Sequence, residues 1–170
     1  IISIANTKAV DAIGNANSSP VTFTVPVMAS ADTVAPTVSS VAIASATGAV
    51  SNTLNAGDVV TVTVGFSENV TITGTPNLGL NIGGSTVQAA YASGTGTNSL
   101  TFNYTILATQ TDANGISVDA NALALNSGTI KDAAGNVAIL THSAVTDNAS
   151  YMVDTTAPTA NLTTVTDNVG

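Results

Sequence analysis

The chain has 170 residues, and ten acidic side chains set against two basic ones, Lys8 and Lys131, give it a formal net charge of −8. Neutralising phosphates requires clustered Lys and Arg, so this balance makes nucleic acid a poor candidate partner and disfavours anionic membrane surfaces. Charged residues nevertheless make up only 7% of the chain and hydrophobic ones 44%, which excludes a disordered acidic tail and leaves ample material for a core.

In chain order, the first signal is a turn, Asp11-Ala12-Ile13-Gly14-Asn15, and the second is a hexapeptide, Asp32-Thr33-Val34-Ala35-Pro36-Thr37. Both return: the turn as Asp132-Ala133-Ala134-Gly135-Asn136, and the hexapeptide as Asp154-Thr155-Thr156-Ala157-Pro158-Thr159. The offsets, 132 − 11 = 121 and 154 − 32 = 122, agree to one residue. A period this long lies outside the range of solenoid repeats, so each repeat is expected to be a domain with its own core. Residues 1–31 then read as the C-terminal part of a preceding module, 32–153 as one complete module, and 154–170 as the linker and first strand of the next. Pro fixes φ and holds its predecessor extended, so Ala-Pro at 35–36 and 157–158 predicts short, stiff linkers.

Within the complete module, period-two alternation dominates. In the run 58–66, Val60, Val62, Val64 and Phe66 share one face, with Thr61 and Thr63 expected to face solvent. The pattern recurs over 78–82, 87–91 and 100–106, and more weakly over 38–44, 123–130, 137–140 and 151–153. Gly83-Gly84, Gly94 to Asn98, Asn114-Gly115 and Gly135-Asn136 supply turns between them. Only residues 119–125 suit even a short helical turn, because β-branched residues and Gly interrupt every longer window. About seven short strands in some 120 residues predict an all-β fold, an antiparallel immunoglobulin-like β-sandwich in tandem array.

Cys is absent, so disulfides and thiolate metal sites are excluded and any bound ion must be held by oxygen. No apolar run approaches the roughly 20 residues that span a bilayer, so membrane insertion is not expected. Scarce Lys and Arg, no Cys, and abundant Thr, Ser, Asn, Ala and Gly suit an extracellular surface.

The few acidic residues gather in segments read as turns. With strands alternating in direction, the linker, the second-to-third-strand loop and the sixth-to-seventh-strand loop meet at the N-terminal end, bringing together Asp32, Glu68, Asp132 and Asn136. Three carboxylates, an amide and loop carbonyls suit Ca²⁺, which takes six to eight oxygen ligands. The opposite end is expected to gather Asp58, Asp112, Asn114 and Asp119. There Asp112-Ala113-Asn114-Gly115 has the opening of a calcium loop but lacks the bidentate Glu of an EF-hand. Ordinary turn chemistry competes at both ends, with Asp accepting from backbone amides and Gly or Asn taking positive φ.

Catalytic readings are weaker. His142, the only His, has no partner at a metal-ligand or general-base spacing, and abundant Ser and Thr do not make a nucleophile without an activating base. Gly94-Thr95-Gly96-Thr97 lacks the Lys and the following helix of a phosphate loop. No catalytic residue is assigned, and the chain is expected not to be an enzyme.

The ordered motifs Phe66-Ser67-Glu68-Asn69-Val70-Thr71-Ile72-Thr73-Gly74-Thr75-Pro76, Asn81-Ile82-Gly83-Gly84, Asp112-Ala113-Asn114-Gly115-Ile116, Ile130-Lys131-Asp132-Ala133-Ala134-Gly135-Asn136 and Val153-Asp154-Thr155-Thr156-Ala157-Pro158 resemble the bacterial Ig-like repeats of very large surface proteins, the biofilm-associated and type I-secreted RTX-type adhesins. The resemblance covers most of residues 32–159. It implies a non-enzymatic module on the bacterial cell surface that extends an adhesin, with neighbouring Ig-like modules as its partners and calcium stiffening the junctions. By motif, Asp32, Asp154, Glu68, Asp132 and Asn136 are the implied ligands; the family pattern often carries an acidic residue where Ala113 or Asn114 stands, which weakens a site at Asp112 and Asn114. Two other functions fit the sequence: a filament or surface-layer subunit whose incomplete end modules pair with other copies of the chain by strand addition, and a carbohydrate-binding module, disfavoured by the absence of Trp.

Overall fold

A computed structural model describes residues 2–3, 12–16, 24–25 and 30–161. Contacts divide the chain into two compact units, Ile1–Asp32 and Thr33–Gly170. In the first, β1 (Ile2–Ser3) pairs antiparallel with β2 (Thr24–Val25), and Gly14 holds a left-handed φ of 89°. Asp11 and residues 162–170, expected to copy Asp132 and to open a further module, lie outside the described residues.

The second unit is all β. Its strands are β3 (Val38–Thr47), β4 (Thr53–Leu54), β5 (Val59–Thr73), β6 (Asn77–Ile82), β7 (Ser85–Ser93), β8 (Thr97–Thr105), β9 (Thr111–Asp112), β10 (Leu123–Ala124), β11 (Thr129–Lys131) and β12 (Met152–Asp154). Among the described residues there is no helix; residues 120–121 form a turn that leads into β10. Among the described residues no helix is long and apolar enough to cross a membrane.

A seven-stranded antiparallel sheet runs in the order β10-β6-β7-β8-β5 and then branches. The edge of β5 opposite β8 is shared: β3 pairs along Val59 to Phe66, and β11 pairs with Thr71 to Thr73. A second, three-stranded sheet has the order β4-β12-β9, with β12 parallel to β4 and antiparallel to β9.

Alternation in the sequence becomes burial. Val60, Val62 and Val64 are fully buried and Phe66 is 3% exposed, while Leu78, Leu80, Leu100 and Phe102 are fully buried from β6 and β8. Phe102 meets the Tyr91 ring edge-on at 5.9 Å, a favoured arrangement for aromatic pairs. Leu54 of β4 and Val153 of β12 belong to the same buried cluster, so the two sheets share one core. Thr61 and Thr63, expected to face solvent, are half-buried instead. They lie on the middle strand between β3 and β8, and Thr61 donates its hydroxyl hydrogen to Asn103 Oδ1 at 3.1 Å.

Strand β5 is longer than its alternation indicates and runs through the polar residues Ser67, Glu68 and Asn69. Its pairing with β8 jumps from Gly65↔Ser99 to Val70↔Thr97, so the intervening residues of β5 form an irregular bulge. Glu68 therefore stands on a strand bulge, not in a loop between the second and third strands as the sequence suggests.

Candidate metal centre at the linker

The linker is fixed by the two segments it enters between. Ile139 N–H donates to the Pro36 carbonyl at 2.8 Å, and Val38 N–H donates to the Ile139 carbonyl at 3.3 Å. On the other side, Thr37 N–H donates to Ser67 Oγ at 3.0 Å, and Ser67 N–H returns to the Thr37 carbonyl at 2.9 Å. Pro36 suits this position because its ring sets φ and its missing N–H is not needed here. The β5 bulge thus bonds the linker through Ser67, and the next residue in the chain is Glu68.

Asp132 follows β11 directly. Its Oδ1 accepts from Gly135 N–H at 2.7 Å and Asn136 N–H at 2.8 Å, and its Oδ2 accepts from Asn136 Nδ2 at 2.7 Å. Gly135 takes a φ of 98°, which only Gly adopts without strain, and this closes the turn. Asn136 Nδ2 also donates to the Val34 carbonyl at 3.2 Å. Both partners are acceptors, so the amide nitrogen faces them, and the Asn136 side chain clamps the Asp132 carboxylate to the linker backbone.

As a result Asp32, Glu68 and Asp132 converge: one carboxylate oxygen from each lies within 4.8 Å of the others. Among the described residues this is the one such group of three or more acidic or His side chains. Asp32 is exposed, Glu68 half-buried and Asp132 buried, so the cluster runs from solvent into the protein. Ligands on opposite sides of a calcium ion, each bonded at 2.3–2.6 Å, are separated by about 5 Å, so oxygens this close fit around a single ion. Burial raises the Asp132 pKa, but hydrogen bonds from the Asn136 side chain and from the Asn136, Gly135 and Ala134 amides outweigh it and hold the carboxyl below its ordinary 3.8. Asp132 is therefore ionised at neutral pH, as a metal ligand must be.

This depressed value has a consequence in the absence of divalent ions. A carboxyl whose folded pKa lies below its unfolded value contributes stability that is complete above the unfolded value, near 3.8, and is lost as pH falls through the folded value. Asn136→Ala removes the side-chain hydrogen bond to Asp132 Oδ2 and frees the Val34 carbonyl of the linker. Its acid unfolding midpoint, followed by circular dichroism in EDTA, is expected to move to higher pH than that of the wild type.

The other sequence candidates have different partners. Asp112, 4% exposed, accepts from Gly83 N–H through Oδ2 and from Gly115 N–H through Oδ1, each at 2.9 Å, so its carboxylate ties the β6–β7 turn to its own. Gly83 is required there, since a Cβ at that position meets the Thr111 carbonyl oxygen at 2.1 Å. Asn114 Nδ2 donates to Asp147 Oδ2, a partner in which the sequence carries no recognisable pattern. Asp58 Oδ2 accepts from Asn55 N–H at 2.7 Å and caps the turn before β5. Asp154 ends β12, and its Oδ1 accepts from Thr156 N–H at 2.9 Å. Ser67, which positions Glu68 against the linker, was not among the candidate residues, because its role depends on a tertiary pairing.

Comparison of the chain with models of known protein families, with curated proteins and with solved structures found no match.

Proposed function

We propose that residues 32–153 form an immunoglobulin-like β-sandwich module of a tandem array on the bacterial cell surface, a non-enzymatic extender of an adhesin whose linker is stiffened by Ca²⁺. The observation that carries this reading is the convergence of Asp32, Glu68 and Asp132 where the linker enters the fold. The ion would be held by those three carboxylates, with Asn136 orienting Asp132. When bound, it supplies a cross-link among the linker, the β5 bulge and the turn after β11, and it relieves the mutual repulsion of the carboxylates.

Three further observations support the proposal. Two sheets close over one core, as in sandwich architectures. The repeated turn has the same backbone feature in both copies, Gly14 at 89° and Gly135 at 98°. The one His spends both ring nitrogens on backbone partners.

Isothermal titration of the chain with Ca²⁺ tests the reading. Extracellular calcium modules bind with dissociation constants of about 10⁻⁴–10⁻³ M. Saturable binding in that range, abolished by combining Glu68→Gln with Asp132→Asn, is the expected result. Absence of binding at millimolar Ca²⁺ contradicts it.

A further inference from the structure

The segment 141–145 runs between two parts of the fold. On one side it forms a groove with β3 residues 38–41. On the other it is bonded to residues 118–122: Val118 and Val145 exchange backbone hydrogen bonds at 3.0 and 2.8 Å, and Asn121 N–H donates to the His142 carbonyl at 3.2 Å. Asn121 Oδ1 accepts from His142 N–H at 3.0 Å.

The His142 ring completes this attachment. Its Nε2 lies 2.9 Å from the Ala122 backbone nitrogen, which can only donate, so Nε2 is the acceptor. Its Nδ1 lies 2.8 Å from the Ser143 carbonyl oxygen, which can only accept, so Nδ1 carries the hydrogen. The two contacts together specify one state, neutral imidazole with the proton on Nδ1. Ala122 in turn donates nothing else and presents its carbonyl to Gly79 N–H of β6 at 3.0 Å. The ring thus fastens the 141–145 segment to the edge of the large sheet.

We propose that His142 is a proton-operated latch. A proton taken up by the ring occupies the Nε2 lone pair, the same pair that accepts the Ala122 N–H. Two N–H groups then face one another, and both turn to water, while the Nδ1–H bond to Ser143 remains and becomes charge-assisted. Of the ring's two bonds the one lost is that to Ala122 across the segments, while the bonds of Val118, Val145, Asn121 and the His142 backbone remain. Imidazole is the side chain whose charge ordinarily changes between about pH 5 and 8.

Segment 141–145, β3 and β6 contain no charged residue, and Asp119, exposed and three residues before Ala122, is the one carboxylate on the facing loop. The device is independent of the linker carboxylates, and it acts whether or not calcium is bound there.

Nitrogen-15 NMR of the whole chain, in EDTA and again in excess Ca²⁺, tests it. At the alkaline end, the imidazole shifts should report the Nδ1–H tautomer, and a coupling through the hydrogen bond should join Ala122 N to His142 Nε2. At the acid end that coupling should vanish, and exchange protection of the Ala122 amide, corrected for intrinsic rate, should fall about tenfold relative to Val118. His142→Gln should make Ala122 protection independent of pH over this range. An Nε2–H tautomer at the alkaline end, an imidazole that stays neutral throughout, or Ala122 protection that ignores the ring's titration each overturns the proposal. The wild-type readings decide the matter even if the variant does not fold.

Discussion

Replacing Phe102 with Ala lowers the stability of the second unit by about 3–5 kcal/mol, a fall in melting temperature of more than roughly 10 °C. Phe102 has no exposed surface and sits on β8, between β7 and β5 in the middle of the large sheet. Truncation removes its buried area and its edge-on contact with Tyr91, and it leaves a cavity facing Val62 across the β5–β8 pair. Urea unfolding reads the loss directly as a shift in midpoint at unchanged slope.

Calcium gives the second large effect. A ligand that binds only the folded state stabilises it by about 2.7 kcal/mol when its free concentration is one hundred times the dissociation constant. For a unit of this size that corresponds to a rise in melting temperature of roughly 10 °C over the EDTA sample. Glu68→Gln and Asp132→Asn should each erase most of the rise. Asp112→Asn should lower stability in EDTA and in calcium alike, because Asp112 spends its carboxylate on the Gly83 and Gly115 amides. That contrast separates ligands of the ion from acidic residues that hold turns.

The strands that bury one face were legible in the sequence, and the reason is local. Val60, Val62, Val64 and Phe66 alternate with polar residues, and only an extended strand puts them on one side. The bulge beyond them was not legible, because Ser67, Glu68 and Asn69 are weak strand formers whose extended course is imposed by Thr37 on one edge and β8 near the other. The three-stranded sheet was equally hidden. Strands β4 and β9 have two residues each, too short to carry a period, and the parallel pairing of β12 with β4 joins segments about a hundred residues apart.

The candidate site shows the same division. Alternating strand directions led to the expectation that Asp32, Glu68 and Asp132 gather, and they lie together, yet the means differ from those expected. Glu68 arrives on a strand bulge, positioned through Ser67, and Asn136 presents its amide nitrogen to Asp132 and Val34. The clamp depends on a contact between Asn136 and Val34, 102 residues apart in sequence, and no local motif encodes it. The Asp112 turn looked similar in sequence to a calcium loop. In the folded chain its carboxylate faces amides from two turns, an arrangement that depends on β6 and β7 bringing Gly83 alongside.

The proposal that calcium stiffens the linker is tested most directly by backbone nitrogen-15 relaxation at Asp32, Thr33 and Val34, measured in EDTA and in saturating Ca²⁺. The account predicts that order parameters at these three residues rise on calcium addition to about 0.85, the value of rigid backbone, while those of β5 and β8 stay unchanged. Order parameters at the linker that are the same with and without calcium would contradict it.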